Sequence, residues 1–223
     1  NNELQQFAYV ASHDLQEPLR MVNSYLQLIE RRYAEHLDDD GREFIGYAVD
    51  GANRMKALIN DLLDFSRVET RGQKREPLSL NSLVSTVLKD LEITIAENDA
   101  EVQVGELPEV VVDRRQITQL FQNLISNALK FKHDERSPCI RISATRTNTA
   151  WQFAIEDNGI GIDPRYKERI FQIFQRLHPV GQYEGTGIGL AICKKVVEHH
   201  DGKIWFESTS EVGTTFYFTL PLY

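Results

Sequence analysis

Cysteine is scarce in this sequence. Only two stand among 223 residues, and Cys139 and Cys193 have neither a CxxC nor a metal-ligand spacing, which excludes a disulfide framework and a zinc knuckle. Two reduced, packing cysteines are the usage expected of a cytoplasmic protein. Long apolar runs are missing too, and no signal-peptide pattern is present, so no direct membrane contact is expected. Positive charge is in deficit. Lys and Arg number 25 against 33 Asp and Glu, for a net charge of −8. The one cation-rich stretch, "KFKHDER", is mixed in sign, and a nucleic-acid partner is excluded on that basis. There is no internal repeat and no low-complexity tract. What is present, 41% hydrophobic and 26% charged residues, is ordinary for a globular chain of one large or two modest domains.

The first 70 residues read as two helices. Leu4, Ala8, Ala11, Leu15, Leu19, Val22, Leu26 and Ile29 recur at spacings of three and four, a helical stripe expected from about Glu3 to about His36. "HLDDDGRE" supplies turn chemistry, with Gly41 as the breaker. A second stripe follows through Phe44, Ala48, Val49, Ala52, Met55, Ile59, Leu62, Leu63 and Phe65. Two such stripes are not well buried by one hairpin alone, so a homodimeric four-helix bundle is expected. The helical pattern is already running at Asn1 without an N-cap. That reads as a cut from a longer protein, with an upstream sensor domain outside this fragment.

Within the first helix, "ASHDLQEPLR" places His13 about 200° around from Ala11 and Leu15, off the apolar stripe. Pro18 lacks an N–H, so the carbonyl of Asp14 loses its i+4 partner and the helix can bend there.

Residues 71–76, "RGQKRE", and Pro77 read as a linker, 71–77, between the hairpin (1–70) and a second domain (78–223). That domain mixes elements. "PLSL" is a short strand, and Asn81 is expected to cap a single helix, "NSLVSTVLKDLEITIAE". "EVQVGEL", "EVVVD", "CIRISATRT", "WQFAIED", "KIWFEST" and "TTFYFTLPL" are strand-like, with Asn148 and Thr149 at one turn. "RRQITQLFQNLISNALKF" and "GLAICKKVVEHH" are helical. The fold class expected is α+β, with helices on one face of a mostly antiparallel sheet.

Three stretches go beyond fold-making. "EDNGIGI" (156–162) follows a strand, and its glycines let backbone approach a ligand. "EGTGIGLAI" (184–192) leads into a helix whose N-terminal N–H groups suit a phosphate. "NLISNALKF" puts Asn123 and Asn127 four apart on one helical face, with oxygens suited to Mg²⁺ and Lys130 three residues on. Taken singly, each glycine-rich stretch is as compatible with a plain turn, and the asparagines with an exposed polar face.

Taken together and in order, "HDLQEPLR", "NLISNALKF", "DNGIGI", "FQIFQRL" and "GTGIGL" resemble the sensor histidine kinases over essentially the whole chain. The first resembles their phospho-accepting histidine motif. The rest resemble their ATP-binding domain, an α/β sandwich shared with gyrase, Hsp90 and MutL. "HDLQEPL", "FQRLH" and "YEGTGIGLAICKKVVEHH" are most similar to the output module of phytochrome-like kinases. The resemblance implies an ATP-dependent autokinase that phosphorylates His13, with Asp14 orienting the imidazole and accepting its proton. The recipient of the phosphoryl group would be an aspartate on the receiver domain of a response regulator. It implies that Asp157 binds the adenine amino group and that Gly159 and Gly161 line the base. Asn127 with Asn123 would hold Mg²⁺, and Lys130 and Arg176 would contact phosphate. Phe131, Ile162, Gly185, Thr186, Gly187, Gly189, Leu190 and Thr215 complete the implied ATP-binding set, and about 171–187 forms a mobile lid.

One departure stands out. Four residues after the histidine, where many members carry Thr or Asn for dephosphorylating the regulator, this chain has Glu17. Two other functions are weighed against the autokinase. An ATP-binding scaffold that transfers little phosphate fits poorly with intact His13, Asp14, Asn127 and Asp157. An ATPase of the Hsp90 or gyrase type would want a glutamate base where Asn123 stands.

Overall fold

The computed structural model describes residues 2–70, 74–166, 169–177, 183, 185–210 and 212–222, the side chains of 2–14, 69 and 70 excepted. The chain divides into two compact units, Asn1–Arg67 and Val68–Tyr223.

The first unit is a helical hairpin of α1 (Asn2–Tyr33) and α2 (Asp39–Thr70, whose last turn enters the second unit). Helix α1 runs through Pro18 and ends at Tyr33, three residues short of His36. The Tyr33 carbonyl is taken by the N–H groups of His36 and Leu37. Gly41 is not the breaker. Asp38 Oδ1 accepts the Gly41 N–H at 2.8 Å, so Asp38 caps α2 and Gly41 lies in its first turn. The helices are registered by amide pairs one heptad apart, Gln16 to Asn60 at 2.8 Å and Asn23 to Asn53 at 2.9 Å. Leu19, Ala52 and Leu63 are buried, whereas Leu15, Val22, Tyr25, Phe44 and Tyr47 are exposed. Among the described residues, no helix is long and apolar enough to cross a membrane.

The second unit is an α/β sandwich. Strands β1 (Glu76–Ser79) and β3 (Glu109–Val112) form an antiparallel pair. Strands β2 (Glu101–Val104), β4 (Cys139–Arg146), β5 (Ala150–Asp157), β6 (Ile204–Thr209) and β7 (Gly213–Pro221) form a sheet in the order β2-β4-β5-β7-β6. Among the described residues, only the β2–β4 pairing is parallel.

Alternation along β7 sets the faces. Thr214, Phe216, Phe218 and Leu220 are buried, and the residues between them are half-exposed. Helices α5 (Arg114–Lys130) and α6 (Gly189–His199) cover the inner face. Phe218 stacks on Phe153 at 4.8 Å and meets Phe121 edge-on at 5.6 Å. Each such ring contributes roughly 1.5–3 kcal/mol by leaving water.

The expected helix 81–97 is broken into α3 (Leu80–Asp90) and α4 (Glu92–Glu97). Asn81 does not cap it. Ser79 holds the N-cap position, and the Asn81 amide instead clasps Leu107, donating to its carbonyl at 3.0 Å and accepting its N–H at 3.2 Å. Tertiary hydrogen bonding outcompeted the local cap. The linker also ends earlier than expected, because Glu76 and Pro77 belong to β1. Residues 71–73 of it lie outside the described residues. At the turn after β4, Thr147 rather than Asn148 or Thr149 makes the side-chain bonds, both to the Ala150 backbone.

The start of the second unit is fastened at its rear. Val68 is buried, and its carbonyl accepts from Gln116 Nε2 at 2.8 Å. Arg75 donates to the His199 carbonyl and pairs with Asp201 at 3.2 Å.

Candidate nucleotide site

The site lies where β5 ends and α5 ends. Asp113 Oδ1 caps α5 by accepting the Gln116 N–H at 3.1 Å. The apolar stripe Ile117, Leu120, Phe121, Leu124, Ile125 and Ala128 is buried. That burial leaves Asn123, Asn127 and Lys130 half-exposed along the border of the helix. Asn123 Nδ2 donates to the Gly189 carbonyl in the first turn of α6 at 3.3 Å. Behind it, burial pushes the Cys193 thiol up to about 12, opposed by the nearby Asn123 amide. The Asn127 carboxamide bonds to no other described residue. The Asn127 backbone carbonyl closes the helix by accepting the Phe131 N–H at 2.9 Å. Lys130 Nζ lies 4.3 Å from the centre of the Phe131 ring, a cation–π contact.

Strand β5 delivers Asp157 to this end. Its Oδ1 accepts two backbone N–H groups, from Gly159 at 2.9 Å and Thr214 at 3.1 Å. Its second oxygen bonds to no other described residue. Burial pushes the carboxyl up to about 6, against the two N–H bonds, which pull it down. The glycines that follow are forced. A Cβ on Gly159 would stand 2.2 Å from the Phe131 carbonyl oxygen, and one on Gly161 2.3 Å from that of Thr209. Gly161 also has φ +72°, which disfavours other residues. The loop is thereby pressed against both the end of α5 and the end of β6. Ile160 donates to the Phe131 carbonyl at 3.0 Å, and Ile162 donates to Ser208 Oγ at 2.7 Å.

The second glycine run closes the other side. A Cβ on Gly185 would lie 3.0 Å from Lys130 Nζ, and one on Gly187 2.8 Å from the Gln175 carbonyl. Thr186 Oγ1 accepts the Ile188 N–H at 3.3 Å, just before Gly189 and Leu190 open α6. Arg176 turns inward and donates to the Tyr183 carbonyl at 2.7 Å. Tyr183 rests 5.0 Å from the Phe131 ring. Within the expected lid, residues 178–182 and 184 lie outside the described residues. So do the side chains of His13 and Asp14, although α1 carries both.

One expectation is corrected. Thr215 pairs with Glu156 and Glu207 on the outer face of the sheet, away from Asp157. The threonine opposite Asp157 is Thr214, which is 5% exposed. Thr214 and Ser208 were missed. The signal for Thr214 was present in the alternation Thr214, Phe216, Phe218, Leu220, which puts it with the inward set.

Asp157 and the two glycine runs thus gather at the C-terminal end of α5, which carries Asn127 and Lys130, and one Asp157 carboxylate oxygen is bonded to no other described residue. Residues 112–223 match the model of the Histidine kinase-, DNA gyrase B-, and HSP90-like ATPase family. Residues 3–71 match that of the His Kinase A (phospho-acceptor) domain. The Phytochrome-like protein Cph1 of Synechocystis sp. is 50% identical over 222 residues, covering 100% of this chain and 30% of its own length. Cyanobacterial phytochrome A of Nostoc sp. is also 50% identical over 222 residues, covering 100% of this chain and 29% of its own. The chain therefore spans about 30% of these relatives. The crystal structure of full-length ShkA in complex with AMPPNP shares the fold, with a TM-score of 0.75 at 23% identity over 97% of this chain and 45% of that one. The chain belongs to the histidine kinase family, with a phospho-acceptor domain followed by an ATPase domain of the histidine kinase, gyrase B and HSP90 type.

Proposed function

We propose that this chain is the kinase core of a two-component sensor, transferring the γ-phosphoryl group of ATP to His13 and then to an aspartate on a response-regulator receiver domain. The observation that carries the reading is Asp157, a buried carboxylate held by two backbone N–H groups through one oxygen while the other is left to accept. A free carboxylate oxygen accepts from the amino group of adenine and repels the carbonyl of guanine.

Around it, Gly159 and Gly161 admit the base, and Phe131 and Ile162 border it. Lys130 and Arg176 supply positive charge for phosphate. Gly185, Thr186, Gly187, Gly189 and Leu190 line the phosphate side at the start of α6. The residues fit a Mg²⁺ ion as well. The Asn127 carboxamide bonds to no other described residue, and the Asn123 amide nitrogen is spent on Gly189, so both offer an oxygen, the donor this cation prefers. When bound, Mg²⁺ neutralises charge on the triphosphate.

In the transfer, a neutral His13 ring nitrogen attacks the γ-phosphorus. An N–P bond forms, the bond to the bridging oxygen of the departing ADP breaks, and the proton of the ring passes to Asp14. The exposed apolar face of the hairpin, with Leu15, Val22, Tyr25, Phe44 and Tyr47, supports a homodimer that buries it in a four-helix bundle. The setting is the cytoplasm, where ATP is available.

The test is incubation with γ-labelled ATP. The label is expected on the protein, acid-labile and alkali-stable, as phosphohistidine is, and absent from His13→Gln, which still binds ATP. Label of undiminished rate in that variant overturns the assignment of His13.

A further inference from the structure

Ser208 Oγ stands at the crossing of three hydrogen bonds, and their polarity can be counted. It accepts the Ile162 N–H at 2.7 Å. It lies 2.8 Å from the Gly213 carbonyl, which can only accept. It lies 2.9 Å from Thr214 Oγ1, where either hydroxyl could donate. A serine hydroxyl has one hydrogen and two acceptor positions. That hydrogen goes to Gly213, so the bond to Thr214 is made by the hydrogen of Thr214. The threonine hydroxyl has then spent its only proton and has only lone pairs left to offer. Thr214 is paired with Asp157 across the β5–β7 ladder, and its own N–H holds Asp157 Oδ1. Two acceptors therefore stand on facing positions of one strand pair, the free oxygen of Asp157 and Oγ1 of Thr214. With both hydrogens committed, neither hydroxyl can turn to offer a proton to a ligand.

We propose that Ser208 is a specificity-determining positioning residue, which by donating to Gly213 forces Thr214 to present an acceptor beside Asp157 and so restricts the pocket to 6-amino purines. The inference rests on the nucleotide-binding reading of this site. An amino group brings two N–H donors to two acceptors, directly or through a bridging water. A 6-oxo purine brings a carbonyl oxygen, which meets lone pairs on both and is rejected. Without Ser208 the Thr214 hydroxyl is free to rotate and donate, and the rejection weakens. The same serine also pins Ile162, so its loss loosens the loop under the base. That second effect acts on either purine alike and is separated by the ratio of affinities.

The experiment is calorimetric titration of the whole chain with ADP and with inosine diphosphate, for wild type, Ser208→Ala, Ser208→Thr and Thr214→Val. Ser208→Ala is expected to reduce the ADP-to-IDP affinity ratio about five- to tenfold, the worth of one hydrogen bond. Ser208→Thr keeps the hydroxyl on a half-exposed position and is expected to keep the ratio. Thr214→Val, of similar shape without the hydroxyl, is expected to lower the ratio as Ser208→Ala does, and the double variant no further. An equal fall in both affinities on losing Ser208 overturns the proposal and leaves a purely structural residue. Should Ser208→Ala lose its cooperative melt, the ratio in Thr214→Val decides, and an unchanged ratio there overturns it equally. Failure of wild type to bind ADP overturns the underlying nucleotide reading instead.

Discussion

Asp113 donates its backbone N–H to His200 Nε2 at 3.1 Å, tying the start of α5 to the end of α6. The other ring nitrogen faces the Val196 carbonyl at 2.8 Å, so Nδ1 carries the proton and the ring is neutral. The residue is 1% exposed. Protonation would turn Nε2 into a donor facing a donor.

Burial holds the His200 ring below its ordinary 6.5, with Arg75 and His199 adding to the depression, and Val196 and Asp113 opposing it. The native state then binds fewer protons than the unfolded state below that value, so stability rises with pH through this window and is lost as pH falls. We expect the part of the urea midpoint that depends on His200, read as the difference between wild type and His200→Phe, to fall with acidification. His200→Phe should be less stable at neutral pH by about 1–3 kcal/mol, the cost of an unpaired buried N–H, and flatter with pH. An identical slope in both proteins would remove His200 as the cause.

Asp157 acts with the opposite sign. Its carboxyl is pushed up from 3.8 to about 6, so the native state holds a proton that the unfolded state has released. Its contribution to stability is full at low pH and is lost as pH rises through about 6. Asp157→Asn keeps the acceptor for Gly159 and Thr214 but presents an N–H₂ to an adenine amino group. ATP affinity should fall about 10- to 100-fold, from loss of a charged hydrogen bond of roughly 1.5–3 kcal/mol. Thermal stability at neutral pH should rise, and this gain should shrink as pH falls through about 6 and vanish only below the unfolded carboxyl's 3.8. A variant that loses binding and stability together would mean that the carboxylate serves the fold.

The second unit begins at Val68, whose buried carbonyl is held by Gln116, and its first strand begins at Glu76. A fragment of residues 68–223 should bind ATP and fold more stably than one of residues 78–223. The shorter piece loses Val68, the Arg75 contacts to His199 and Asp201, and half of β1. Both are expected to be monomers by light scattering, because the exposed apolar face belongs to the hairpin. A dimer of either piece would place the interface in the second unit.

Glu17 lies one turn beyond His13 and is exposed. A carboxylate there cannot donate to water or to an aspartyl phosphate, and it repels a second negative group. Phosphatase activity towards the regulator is expected to be absent or weak. Free phosphate from a purified phosphorylated regulator is followed with ADP present and ATP omitted. Release well above the regulator's own rate, persisting in His13→Gln, would show that Glu17 does not block it.

What could be read from the residues alone was local or periodic. The order of strands and helices follows from alternation and from stripes at three and four. Asn123, Asn127, Asp157, Gly159 and Gly161 stand out as candidates because their types and spacings sit within single short motifs. What escaped depended on neighbours distant in sequence. Asn81 looked like a helix cap until Leu107, 26 residues on, took both ends of its amide. Nothing in the sequence marks Gln116 apart from other polar helix residues, yet Val68, 48 residues earlier, makes it a buried clasp. Thr214 and Thr215 are chemically identical, and only the pairing of β7 with β5 decides which one faces Asp157, because a one-residue step reverses the face. The roles proposed for Asp157 and Ser208 follow the same division. Residue type supplies the donors and acceptors, whereas burial and the direction of each hydrogen, both products of the packed sheet and loop, decide which of them a ligand can use.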